Sequence, residues 1–185
     1  MKEYESIISL ILGGISSGKS EFAEKMLSDM QRQSSAEFYY FTPAGLPEDD
    51  EMQAKVTAHR NRRPGWLHTV ECGADPGSFL SELKTGDTIL FDSVGTLLGR
   101  LMMKAEEQES SSAHEAAAQF TSMMKRAAAE GLNIIFVSEE VGMELVALSS
   151  SGRTFQKTMG RLNQLIAASA DEVYFVTAGI PQKLK

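Results

Sequence analysis

The chain has 185 residues, 42% hydrophobic and 23% charged, the balance of a globular domain and not of a disordered segment. Eighteen basic against 25 acidic residues leave a net charge of −7, which argues against a general nucleic-acid binder. A single cysteine, Cys72, excludes a disulfide framework and a multi-cysteine zinc site. No apolar run approaches the ~20 residues that span a bilayer, so no membrane insertion is expected. The opening residues lack the basic-then-apolar layout of a secretory signal, and a cytoplasmic location is the expectation.

Short apolar, β-rich runs alternate with helical patterns along the chain. Residues Ile7 to Leu12 read as a buried strand ended by Gly13 and Gly14. A helix follows from Lys19 to Gln33, with Phe22, Met26 and Met30 on one stripe, and Glu37 to Phe41 is a second strand. After a loop from Pro43 to Asp50, Asp49 or Asp50 is placed to cap a helix carrying Met52, Val56 and His59 on one face. Pro64 and Gly65 stop it. Trp66 to Glu71 reads as a strand, followed by a loop through Pro76 and a short helix ending near Lys84. Thr88 to Asp92 is a strand of three apolar residues closing on a carboxylate. Glu106 to Ala113, polar and Ser-rich, reads as a mobile surface loop. The Ala-rich stretch from Glu115 to Glu130 is a helix stopped by Gly131. Asn133 to Ser138 and Glu172 to Ala178 are the last strands, with a helix from Thr154 to Ser169 between them. The alternation predicts one three-layer α/β domain over residues 1–185 with a mostly parallel central sheet.

Within the first strand-to-helix turn, Gly13, Gly18, Lys19 and Ser20 fall in the pattern G-x-x-x-x-G-K-[ST]. The glycines let backbone N–H groups turn inward around phosphate oxygens, and the following helix points its positive end at them. Lys19 reaches the terminal phosphates, and the Ser20 hydroxyl is placed to ligate Mg²⁺. A Gly/Ser-rich turn could match by chance, but this one follows a predicted strand and opens a predicted helix. Asp92, at a strand end, is the candidate second ligand for the Mg²⁺ of the bound nucleotide. A helix-capping or turn aspartate is the alternative reading of the same residue.

The segment from Lys55 to Arg63 carries Lys55, Arg60, Arg62 and Arg63, four positive charges and no acid, around His59. Such a run is ordinarily a solvated face, and a lone histidine is ordinarily structural. An anionic substrate is nevertheless implied by the phosphate loop, and neighbouring positive charge favours the neutral imidazole that attack on phosphorus requires. Spacing alone leaves both readings open. His68 and His114 have no comparable surroundings.

Four segments occur in an order and spacing that resemble a known family: GGISSGKS, DDEMQAKVTAHRNRRPGW, VSEEVGM and GRLNQLIAASADEVYFVTAGIPQKLK. The resemblance is to the bifunctional adenosylcobinamide kinase/adenosylcobinamide-phosphate guanylyltransferases of cobalamin biosynthesis, and it covers nearly the whole chain. Its most specific parts are Asp50, Glu51, Met52, His59, Arg63 and Pro64, and the triplet Glu140, Val141 and Gly142. The resemblance implies a RecA-like P-loop NTPase fold, assembly as a homotrimer, and two reactions. A nucleoside triphosphate phosphorylates adenosylcobinamide, and GMP then passes from GTP to that phosphate through a guanylylated histidine, whose matching position is His59.

The expected catalytic residues are therefore His59, Lys19 and Asp92, with Ser20 and Asp92 on Mg²⁺. The expected contacts to GTP or ATP are Gly13, Gly14, Ile15, Ser16, Ser17, Gly18, Lys19, Ser20, Arg60, Arg63 and Glu71. The chain departs from the family pattern at Ser16, where the family has Arg; at Gly95, for Thr; at Arg100, for Asn; at Glu139, for Asn; and at Gln156 and Lys157, for Arg and Asp. The competing readings are a P-loop kinase of another small molecule, with His59 structural, and a divergent nucleotide-binding regulator without guanylyl transfer.

Overall fold

The computed structural model describes residues 6–43, 63–108, 112–143 and 145–185. The first strand, β1 (Ile8–Gly13), is buried at all six positions, as a strand covered on both faces must be. It sits inside a seven-stranded sheet whose other members are β2 (Phe38–Thr42), β3 (Leu67–Glu71), β4 (Thr88–Asp92), β5 (Asn133–Glu139), β6 (Glu172–Thr177) and β7 (Ile180–Lys183). Their order is β3-β2-β4-β5-β1-β6-β7, and every pairing is parallel except that of β6 with β7.

Alternation along the strands divides the core in two. On one face Ile11, Leu90, Ile135, Val137 and Val176 pack with Ala23 and Leu27 of α1 (Lys19–Gln31). The predicted stripe of Phe22, Met26 and Met30 forms the partly buried margin of that contact. On the other face Leu10, Leu12, Ile89, Phe91, Ile134 and Phe136 pack under α2 (Val94–Gln108), α3 (Ser112–Glu130) and α4 (Ser150–Ser169). A 3-10 helix (Pro76–Glu82), opened by its proline, takes the place of the short helix expected there.

Three expectations need correction. Helix α2 was not foreseen, and it takes in Glu106, Glu107 and Gln108 from the stretch expected to be a loop, while Ser112 and Ala113 open α3. Helix α4 starts at Ser150, four residues early, because the Ser149 hydroxyl oxygen accepts the Gly152 N–H at 3.0 Å and caps it. Strand β7 was also missed. It returns through a turn in which Ala178 (φ 51°) and Gly179 (φ 78°) both take left-handed backbone, the geometry of a tight hairpin. The expected helix bearing Met52, Val56 and His59, with its cap at Asp49 or Asp50, lies outside the described residues.

The core holds a triangle of Phe91, Phe120 and Phe136, joined edge to face with ring centroids 5.7 to 5.8 Å apart. All three rings are fully buried, and they tie β4, β5 and α3 together. Phe136→Ala should therefore lower unfolding stability by ~3–5 kcal/mol, read from a urea titration. A loss below ~1 kcal/mol would show that the site collapses around the missing ring.

Candidate functional site

The parallel strands β1, β4 and β5 end together at the carboxyl edge of the sheet, where Gly13 is in register with Glu139 and Asp92 with Val137. In open parallel sheets this edge is where ligands bind. Gly13 is confined by packing: a methyl group there would overlap the Ser17 hydroxyl and come within 2.7 Å of the Val176 carbonyl oxygen. Gly18 is confined by conformation, at φ 91°, and a methyl group would meet the Cα of Gly179 at 3.0 Å. Ser16 holds a left-handed φ of 58° without being glycine, at a cost of roughly 1–2 kcal/mol. The loop is tied down by Ser17 N–H to the Gly14 carbonyl at 3.3 Å and by Gly179 N–H to the Ser17 carbonyl at 2.8 Å.

Gly18 is the N-cap of helix α1, and no side chain caps its first turn, which leaves its N–H groups for an anion. Beside them Lys19 is 9% exposed. Its Nζ donates to the Gly14 carbonyl at 3.2 Å, and it has no ion-pair partner among the described residues. Burying a cation without a counter-charge costs several kcal/mol, so the geometry fits an anionic ligand that supplies one. The Ser17 hydroxyl of the same loop is buried beside Gly13 without a hydrogen-bond partner among the described residues.

Asp92 closes β4 with one carboxylate oxygen, Oδ2, accepting the Tyr40 hydroxyl at 2.7 Å. Burial, and then the charge of Asp92, push the Tyr40 phenol well above its ordinary range, so it stays a donor. The Arg63 guanidinium stacks over the Tyr40 ring at 3.5 Å and donates to Thr69 Oγ1 at 3.0 Å. Ser20, on the first turn of α1, and Asp92 offer the oxygen ligands that suit Mg²⁺, which takes few protein ligands and completes its shell from phosphates. Among the described residues no three His, Cys, Asp or Glu side chains gather to hold a metal by themselves.

The structure thus brings the loop from Gly13 to Ser20 and Asp92 to one edge of the sheet. Glu71 ends β3, an edge strand of the sheet, with β2, β4 and β5 between it and β1. Arg63 lies near that side too, engaged with Tyr40. His59, Arg60 and Arg62 lie outside the described residues. Burial, before any other cause, pushes the Cys72 thiol up to about 12, so it is no nucleophile at neutral pH.

Sequence reasoning missed Tyr40, the partner of Asp92, and named Glu139 only as a departure from the family pattern, with no role assigned. It also missed an exposed apolar stretch after β5: Met143, Leu145, Val146 and Leu148 all face outward. Gln156 holds that stretch, donating to the carbonyls of Val141 (3.3 Å) and Leu145 (3.1 Å) and accepting the Ala147 N–H at 3.1 Å. The run V-G-M-E-L-V-A-L was its only visible signal. No helix among the described residues is long and apolar enough to cross a membrane.

A family model described as cobinamide kinase / cobinamide phosphate guanyltransferase matches residues 9–184. The bifunctional adenosylcobalamin biosynthesis protein CobU of Salmonella typhimurium is 33% identical over 184 residues, which cover 95% of this chain and 98% of that protein. The CobU of Escherichia coli matches with the same identity and coverage. CobP of Pseudomonas aeruginosa, also named as a bifunctional adenosylcobalamin biosynthesis protein, is 32% identical over 177 residues, 95% of this chain and 96% of its own. Among solved structures, a KaiC-like protein of Pyrococcus horikoshii superposes with a TM-score of 0.52 at 17% identity, covering 92% of this chain and 71% of that one. That likeness concerns the fold alone, and it agrees with an α/β P-loop domain of the RecA-like kind.

The Tyr40–Asp92 contact has a pH signature. A phenol whose pKa is raised by folding contributes stability that is complete below its unfolded value of 10.0 and is lost as pH rises beyond it. Tyr40→Phe should cost ~1 kcal/mol at neutral pH and should flatten the alkaline decline. Urea midpoints measured from pH 8 to 11 decide this; equal slopes above pH 10 in both proteins would contradict it.

Proposed function

The chain belongs to the cobinamide kinase / cobinamide phosphate guanyltransferase family, and from that premise we propose that it runs both reactions at the edge formed by Gly13 to Ser20 and Asp92. The buried Lys19, without an ion-pair partner among the described residues and beside an uncapped helix start, is the observation that carries the reading. In the first step a hydroxyl oxygen of adenosylcobinamide attacks the γ-phosphorus of ATP or GTP. A new O–P bond forms as the bond to the β-phosphate oxygen breaks, and the hydroxyl proton leaves to solvent. Lys19 and the loop N–H groups hold the phosphoryl oxygens as charge shifts between them. Mg²⁺, held by Ser20 and Asp92, would neutralise phosphate charge when bound.

In the second step a His59 nitrogen attacks the α-phosphorus of GTP. An N–P bond forms and pyrophosphate leaves with the electron pair of the broken P–O bond. The phosphate of the first product then displaces histidine from that phosphorus, so GMP arrives in two easy displacements in place of one hard one. Arg60 and Arg63 belong to this half of the reading as charge partners for phosphate, and Glu71 as a further nucleotide contact. The exposed Met143, Leu145, Val146 and Leu148 suit a large and partly apolar acceptor. The reading takes residues 1–185 as one nucleotide-binding domain that works as a homotrimer in the cytoplasm, which sedimentation of the active protein tests.

Two measurements bear on this directly. Lys19→Ala should weaken binding of a fluorescent GTP analogue at least ~10-fold, or ~1.4 kcal/mol, and should stop phosphoryl transfer while the protein stays folded. Normal kinase turnover in that variant would place the site elsewhere.

Incubation with GTP should add the mass of GMP to the parent protein and release pyrophosphate. The adduct should be labile in acid and stable in base, as a phosphoramidate is. His59→Asn should abolish the adduct and guanylyl transfer but spare the kinase step. An adduct that persists in His59→Asn would remove His59 from the reaction.

A further inference from the structure

The end of β5 carries a carboxylate that the reading above leaves unused. Glu139 Oε1 accepts the Ser93 hydroxyl at 2.9 Å, and Oε2 accepts the Gly95 N–H at 3.1 Å. Ser93 directly follows Asp92. Its oxygen in turn receives the Thr96 N–H at 3.2 Å and lies 3.0 Å from Thr96 Oγ1. With its own proton given to Glu139, Ser93 must accept the Thr96 hydroxyl as well, so the direction of every bond in the chain is set by the carboxylate. An acceptor-only group is what two converging donors at the start of α2 require, and a negative charge there is also favoured by the helix dipole.

The same residue is anchored from behind. The Glu139 carbonyl accepts Asn163 Nδ2 at 3.0 Å, and Asn163 Oδ1 accepts the buried Ser138 hydroxyl. The next residue, Glu140, donates its N–H to the Gly13 carbonyl at 3.1 Å. One dipeptide therefore touches both halves of the site: its backbone holds the root of the phosphate loop, and its side chain holds the turn that follows Asp92. Gly95 leaves room for this. A methyl group at that position would overlap Glu139 Oε2 and come within 3.1 Å of the carboxyl carbon.

We propose that Glu139 is a positioning residue for the phosphoryl-transfer step: its carboxylate fixes where Asp92 stands relative to the phosphate loop, and Gly95 is the residue whose missing side chain permits it. The proposal rests on the nucleotide reading above but not on the identity of the acceptor. Glu139 touches neither nucleotide nor metal in this role. It acts through Ser93 and the start of α2.

The test follows Mg²⁺ and not turnover. Binding of a fluorescent GTP analogue is titrated with Mg²⁺ in the parent, Glu139→Gln, Glu139→Ala, Gly95→Ala and the Gly95→Ala/Glu139→Ala double variant, with melting temperature recorded for each. Glu139→Ala should raise the half-saturating Mg²⁺ concentration about tenfold, equivalent to ~1.4 kcal/mol. Metal-free nucleotide affinity should stay within about twofold, since Lys19 and the loop are untouched. Glu139→Gln, which keeps the shape and is the variant to rely on if the alanine form does not fold, should give a smaller rise in the same direction. Gly95→Ala should raise the midpoint too. The double variant should be no worse than Glu139→Ala, because with the carboxylate gone the added methyl group meets only the Met159 methyl at 3.7 Å, an ordinary van der Waals contact. A lowered melting temperature with an unchanged Mg²⁺ midpoint in Glu139→Gln and Glu139→Ala would overturn the proposal, as would strictly additive effects in the double variant. A parent protein that binds Mg²⁺ and GTP yet leaves adenosylcobinamide untouched would refute the acceptor assignment alone, and the Glu139 comparison would still be decided by the metal titration.

Discussion

A buried ammonium group sets the terms for the rest of the site. Lys19 donates to the carbonyl of Gly14, and the described residues offer it no carboxylate. Such a charge is tolerable only where the surroundings are arranged for an anion to arrive. The surroundings here comply at every level: left-handed backbone at Ser16 and Gly18, a helix start without a side-chain cap, and a strand end at Gly13 too crowded for a side chain. Each feature is unfavourable or neutral for folding alone. Together they suit an anion held at the start of α1.

The placing of Asp92 near the phosphate loop depends on sheet order. Placing β5 between β1 and β4 puts a strand end between the phosphate loop and Asp92. Its terminal residues thereby become the natural place to set the distance between them. Asp92 is steadied on its other side by a phenol that burial keeps protonated, and Arg63 covers that phenol's ring. Arg63, one of the basic residues expected at a triphosphate, thus stacks on the phenol that bonds Asp92.

Much of this was legible in the chain. The loop from Gly13 to Ser20 could be read because its chemistry is local: eight consecutive residues supply the backbone, the cation and the hydroxyl. The strand from Thr88 to Asp92 was placed to the residue, since an apolar run ending in a carboxylate has few other uses. Helix α2 was not legible. Gly95 and Gly99 weaken its first two turns, and the acceptor that binds the Gly95 N–H lies 44 residues away. Tyr40 and Asp92 are 52 residues apart, so no spacing rule joins them. The hairpin at Ala178 and Gly179 was hidden for a different reason, because Pro181 and Lys183 disguise an edge strand.

That hairpin bears on how the loop meets its ligand. The Gly179 N–H binds the Ser17 carbonyl, and the Cα of Gly179 closes the space beside Gly18. The loop is held from three directions, by its own Gly14 to Ser17 bond, by β5 through Glu140, and by the last turn of the chain. These bonds order the loop from within the protein, so part of its conformational entropy is met by folding and not by a ligand. Binding then has little backbone left to order, and a larger share of the phosphate interactions is retained as affinity.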